Sequence, residues 1–284
     1  SSLGPNIANG TAIVAATLIG SGSGAQLTAT TGTTELGGSN ASTWSGSVAV
    51  TGTGNVLFTG SAAPGGFGGG TVTASGGGEV RLGGGYTSGK VIVQAGGTFT
   101  ANANKAVSTL ELAGGRLAAT SGASVTAGVV AITSASTIGT GTSGQGLTVT
   151  AKLTGIGAGA VLDVVPGTLT LSTDNSLTWH GKLLVDAADE VLVTAAGGPK
   201  GYGSDSAGTV EVSGGGLVNQ GEGFSTGKVL VKGGGTYVVN TVGKPAVNLR
   251  LDGGRLQGDA AKTLTSGLVT VLSNSTMGGS TSAS

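Results

Sequence analysis

Aliphatic residues in this chain alternate with small or polar ones in short bursts separated by Gly and Ser. "TVTASGGGEVRL" (71–82), "VIVQAGGTFTAN" (91–102), "LELAGGRLAAT" (110–120) and "VVAITSASTIG" (129–139) share one layout. Each holds an alternating segment, a short Gly or Ser turn and a second alternating segment. A period of two predicts strands with one apolar face. The lead residues Val72, Val91, Leu110 and Val129 are spaced by 19, and the turn residues Gly77, Gly96, Gly115 and Ser134 keep the same step. Further along, Val191, Val210 and Val229 are 19 apart, Leu249 follows after 20 and Leu268 after 19 more.

A longer repeat overlies the short one. Trp44 and Trp179 are 135 apart within "NASTWSGSVAV" and "NSLTWHGKLLV". "TSGKVIVQAGGTF" (87–99) matches "STGKVLVKGGGTY" (225–237) at an offset of 138, and "GGRL" recurs at 139. The chain reads as two copies of one unit, 1–139 and 140–284, with small insertions such as "DSA" at 205–207.

One coil of this length cannot bury its apolar face alone. Stacked coils can, each strand pairing in parallel with its equivalent one coil earlier. The predicted fold is therefore all-β: a parallel β-helix (β-solenoid) of about 19 residues per coil, internally duplicated and right-handed by the usual crossover rule. At ~4.8 Å per coil, about fifteen coils would make a stack roughly 70 Å long. A β-sandwich would need antiparallel hairpins with two-residue turns at shorter spacing. No segment has the period of 3.6 that a helix requires.

Composition narrows the function classes. Sixty glycines stand beside only nine aromatic residues, so the core must be thin and built from small side chains. No Gly-X-Y period supports collagen, and the ordered aliphatics argue against a disordered linker. Net charge is zero, with no basic face to neutralise phosphates, so no nucleic acid partner is expected. No apolar run approaches the ~20 residues of a spanning helix, and no basic amphipathic segment offers membrane insertion. The opening "SSLGPNIANG" does not read as a signal peptide. The chain has no cysteine, which excludes disulfides, thiolate metal sites and cysteine nucleophiles.

Few residues suggest chemistry. Trp44 and Trp179 occupy equivalent positions and could offer a stacking platform for sugars, or fill a wide part of the core. His180, the single histidine, replaces Ser45 of the first copy, and no nucleophile elbow accompanies it. The densest acidic run, "DAADE" (186–190), answers to "TGTGN" (51–55), which has no acid, so no dedicated calcium or other metal site is expected. Arg116 with Arg255, and Lys90 with Lys228, recur in both copies. They could face a ligand, or sit at coil corners with their stems over apolar wall. Threonine pairs such as Thr71 and Thr73 hint at an ice-binding array, but Glu211, Lys232 and Arg250 interrupt it. Residues 1–139 hold 3 acids and 4 bases against 10 and 9 beyond, so the second copy is expected to have the more polar surface.

The segment "GTLTLSTDNSLTWHGKLLV" (167–185) resembles the autotransporter-associated β-strand repeat at Gly167, Leu169, Leu171, Asn175, Ser176 and Gly181. The first copy keeps Gly32, Leu36, Asn40 and Gly46 of that pattern. "VQAGGTFTAN" and "LELAGGRLAAT" are likewise similar to coils of such passengers. The resemblance implies a module of a large bacterial surface or secreted protein, and an extracellular location. It lacks the series of amphipathic strands of an outer-membrane barrel. The expectation is a structural β-solenoid without enzymatic activity or cofactor. Its expected partners are copies of itself stacked head to tail, or the rest of a longer chain. The alternative is an adhesin stalk binding glycans.

Overall fold

A computed structural model describes residues 1–5, 9–16, 18–21, 24–37, 44–59, 70–82, 89–155, 157–173, 178–194, 208–220, 228–239, 248–258 and 266–279. Among these the regular structure is all strand, with no helix. Consecutive strands alternate between two walls, and each pairs in parallel with the strands two before and two after it. The chain is a parallel β-solenoid, as the alternation predicts. It divides into two compact units, residues 1–137 and 138–284.

In the first unit one wall stacks Gln26–Ala29, Ser47–Thr51, Thr71–Ser75, Lys90–Gln94, Lys105–Ala113 and Ala123–Ser134. The facing wall stacks Thr11–Val14, Thr33–Leu36, Val56–Thr59, Glu79–Leu82, Thr98–Ala101 and Arg116–Ala119. Inward residues form columns along the stack. Val72, Val91 and Leu110 stand in register on one wall, and Val80, Phe99 and Leu117 on the other, all of them buried. Each such side chain contributes about 1.5–3 kcal/mol of burial.

The second unit repeats the plan. Val210, Val229 and Leu249 form one column, and Val218, Tyr237 and Leu256 the other. The correspondence reaches single hydrogen bonds. At the corner of the first unit Gly76 N–H donates to Ala95 O and Gly77 N–H to Gly96 O. In the second, Gly214 N–H donates to Gly233 O and Gly215 N–H to Gly234 O. These glycines have φ of 54°, 91°, 57° and 100°, a left-handed backbone that explains why the corners are written in Gly. A bulge at Leu112/Ala113 is matched by one at Leu251/Asp252. The bridge Gly20–Trp44 is matched by Gly155–Trp179.

Three expectations are corrected. The coil is not uniform: paired residues lie 19 apart at Val72 and Val91, 24 apart at Val48 and Val72, and 26 apart at Leu192 and Val218. Strand pairing is retained while the connections vary in length. Leu110 pairs with Val130 rather than Val129, and Leu249 with Val269 rather than Leu268. Finally, Val191 and Val210 are not one coil apart, because Val191 pairs with Leu217 and Val210 with Leu183. The insertion 205–207 and the motif residues Asn40, Asn175 and Ser176 lie outside the described residues.

Candidate functional site

The outer surface of the second unit carries the densest arrangement of ionisable groups. Asp163 sits on strand Val161–Val164, between the inward residues Leu162 and Val164, and so faces out. Asp186 and Glu190 bracket the tight turn joining Lys182–Val185 to Glu190–Thr194, where Asp189 adopts a φ of 67°. Asp163 pairs with Leu184, which brings its carboxyl beside that turn. Carboxylate oxygens of Asp163, Asp186 and Glu190 lie within 4.8 Å of one another.

Glu190 is buried, and its role is visible. Its Oε2 accepts hydrogen bonds from Asp186 N–H at 2.7 Å and Ala187 N–H at 2.9 Å, closing the turn. In the first unit the same place is held by Asn55. There Oδ1 accepts from Gly32 N–H at 3.2 Å and Nδ2 donates to Thr51 O. A polar side chain that ties the corner is thus common to both units, and the extra acids belong to the second. Asp163 Oδ1 is sealed from solvent and has no hydrogen-bond partner among the described residues. Burial, reinforced by Asp186 and Glu190, pushes its carboxyl up to about 6. The cluster could supply part of the oxygen set of a hard divalent cation, although Glu190 Oε2 is committed to two amides.

The sequence singled out Asp186 and Glu190 within "DAADE" but missed Asp163. The missing signal was register: Asp163 lies one coil earlier, reachable only once Leu162 is aligned with Leu183.

The tryptophans are corrected as surface candidates. Trp44 and Trp179 are both buried, so neither presents a ring face to a sugar. A Cβ on Gly20 would meet Trp44 at 2.7 Å, and one on Gly181 would meet Trp179 at 2.8 Å. The small residues of these coils leave room for the indoles. In each unit the buried indole fills the space beside a glycine.

Arg116 and Arg255 open the equivalent strands Arg116–Ala119 and Arg255–Gly258, directly after the corner glycines, in positions that alternate with the inward Leu117 and Leu256. Arg116 is half-buried and Arg255 exposed, and the charges that act on Asp163 are Asp186 and Glu190 rather than either arginine. Lys90 is held by Glu111 on the next coil, Nζ to Oε2 at 2.6 Å, whereas Lys228 is exposed. His180 donates its backbone N–H to Gly155 O and, with Gly157, Val161, Lys182 and Thr209, lines an open cleft of about 760 Å³.

Part of the charge of the second unit is arranged as a ladder along one wall. Glu211 lies between Lys182 and Lys232, with Nζ to carboxylate distances of 3.0 and 2.5 Å. Burial raises the Glu211 carboxyl, but the hydrogen bonds from Lys232 and Lys182 more than reverse this and hold it below the ordinary range. In the first unit Glu79 is tied to Arg81 and accepts from Thr100 Oγ1 at 2.6 Å. These charges brace the walls.

Comparison with family models, with curated proteins and with solved structures returns no match.

Proposed function

We propose that this chain is a non-enzymatic structural protein, a β-solenoid module of a bacterial surface layer, fibre or filament, working outside the cell. One observation carries the reading: the scaffold is duplicated and the chemistry is not. The corner hydrogen bonds, the bulge, the core columns and the buried Trp recur in both units. The acidic cluster and the histidine do not recur. Asp163, Glu190 and His180 of the second unit stand where the first has Thr28, Asn55 and Ser45. The outward charges that are paired mostly neutralise each other along the walls, as a surface with no ionic substrate would have them. The resemblance to autotransporter-associated repeats supports the same reading and the extracellular location.

A second reading, an adhesive module for glycans, rests on the cleft beside His180 and Lys182. It no longer draws on the tryptophans. Both readings meet in one experiment: the full chain is incubated with a panel of polysaccharides and glycans, and binding and release of reducing ends are followed. The structural role predicts neither. Saturable binding that His180→Ala weakens would replace it with the adhesive reading, and turnover of any polymer would overturn both.

A further inference from the structure

One outward column distinguishes the second unit from the first. Asp163, Leu184, Glu211, Leu230 and Arg250 stand in register on successive strands of one wall. The duplicated sequence places Thr28, Ala49, Thr73, Ile92 and Glu111 at the same positions, themselves in register within the first unit. The inward neighbours stay aliphatic in both, so these substitutions fall on the outer face.

Their effect on charge is specific. In the first unit Lys90 Nζ meets Glu111 Oε2 at 2.6 Å. The equivalent residues of the second unit are Lys228 and Arg250, two exposed cations in place of an ion pair. Among the described residues no carboxylate pairs with either. Like charges on neighbouring strands destabilise a sheet unless something outside it answers them. At the other end of the column Asp163, Asp186 and Glu190 crowd one another, and Asp189 adds a further exposed acid. Asp163 and Asp186 replace Thr28 and Thr51. Asp163 and Arg250 are separated by four strand spacings, about 19 Å. The two clusters therefore cannot neutralise each other within one chain. Between them Glu211 is already matched by Lys182 and Lys232, and the half-buried Leu184 and Leu230 flank it.

We propose that this column is the contact face for a second copy of the chain, packed wall to wall with its coils running in the opposite direction. A two-fold axis at Glu211, lying along the strands, sets Asp163 of each copy against Arg250 of the other and Leu184 against Leu230. It also brings Asp186 towards Lys232. Lys182 then faces Lys228, with the Glu211 carboxylates beside them. The column is thus complementary to its own reverse, which is what a closed two-fold contact requires. This inference rests on the structural role proposed above and adds to it a side-by-side contact, its face and its register.

Sedimentation of the full chain and two charge variants tests it. Arg250→Glu recreates the Lys90–Glu111 pairing of the first unit, so its melting temperature should hold or rise. Its self-association should nevertheless weaken by about tenfold or more, since like charges then meet across the contact. Asp163→Lys should weaken self-association in the same way. Mixed in equal amounts, the two variants match each other at both ends of the column, and the mixture should associate as the parent does. A mixture that associates no better than its components would overturn the pairing. So would a parent that is monomeric at every concentration. Should Asp163→Lys not fold, Arg250→Glu decides alone, and unchanged association overturns the proposal. Assemblies that form equally well from parent and variants would remove this contact and leave the structural role standing. That role fails on a different result, the glycan binding or turnover named above.

Discussion

Gly235 lies so close to Val212 on the preceding coil that a Cβ built on it would stand 2.4 Å from the Val212 carbonyl oxygen. The equivalent Gly97 has the same relation to Ala74 O, at 2.3 Å. The corners of the solenoid are thus held at a spacing that only a hydrogen side chain permits. Gly233, two residues away, has open space at the same point. Gly235→Ala should therefore cost about 3 kcal/mol or more, because backbone rather than a flexible side chain must move. Gly233→Ala should stay within about 0.5 kcal/mol. Paired denaturant melts decide this, and equal losses would remove the close-approach explanation of the glycine content.

Glu211 braces three coils through Lys182 and Lys232. Because its folded pKa is lowered, its contribution is present above the unfolded carboxylate value and is lost as pH falls through the folded one. Glu211→Gln should lower stability by about 1 kcal/mol at pH 7. The gap should close on acidification below pH 4. A gap independent of pH would mean that the side chain acts through packing alone.

Asp163 has the opposite sign. Its folded pKa is raised to about 6 from an ordinary 3.8. Its contribution is fully present below the unfolded value and is lost as pH rises through about 6. Asp163→Asn should therefore melt higher than the parent at pH 7.5, with the difference vanishing near pH 4. An Asn variant that melts lower at pH 7.5 would show that the ionised carboxylate is needed there, and would send attention to a cation held by Asp163, Asp186 and Glu190.

Trp179 is core, and its neighbour His180 lies at the cleft. Trp179→Ala should destabilise by about 3–5 kcal/mol, the usual loss for a large buried aromatic. His180→Ala should change stability by less than about 0.5 kcal/mol. A Trp179→Ala protein with unaltered melting would restore the indole as a surface group.

Much of the architecture was legible because the side-chain period of a strand is two. Leu110–Glu111–Leu112 and its relatives announce one buried face whatever the fold around them. Register was less legible. In "VVAITS" both Val129 and Val130 are apolar, and only pairing with Leu110 shows that Val130 faces in. A slip of one residue exchanges the two faces. Val191 and Val210 read alike as strand leaders, yet belong to different columns, because the wall a strand joins depends on its neighbours. The same limit hid Asp163, whose partners come from the next coil. It also left Trp44 and Trp179 open between wall and core, since an indole in a core of small residues has the same spelling as one on a wall.

The most direct test of the whole account is negative-stain electron microscopy of the purified chain across a concentration series, with light scattering on the same samples. A self-stacking structural solenoid predicts uniform fibres that lengthen with concentration and shorten reversibly on dilution. Single particles of unchanged size throughout that range would contradict it.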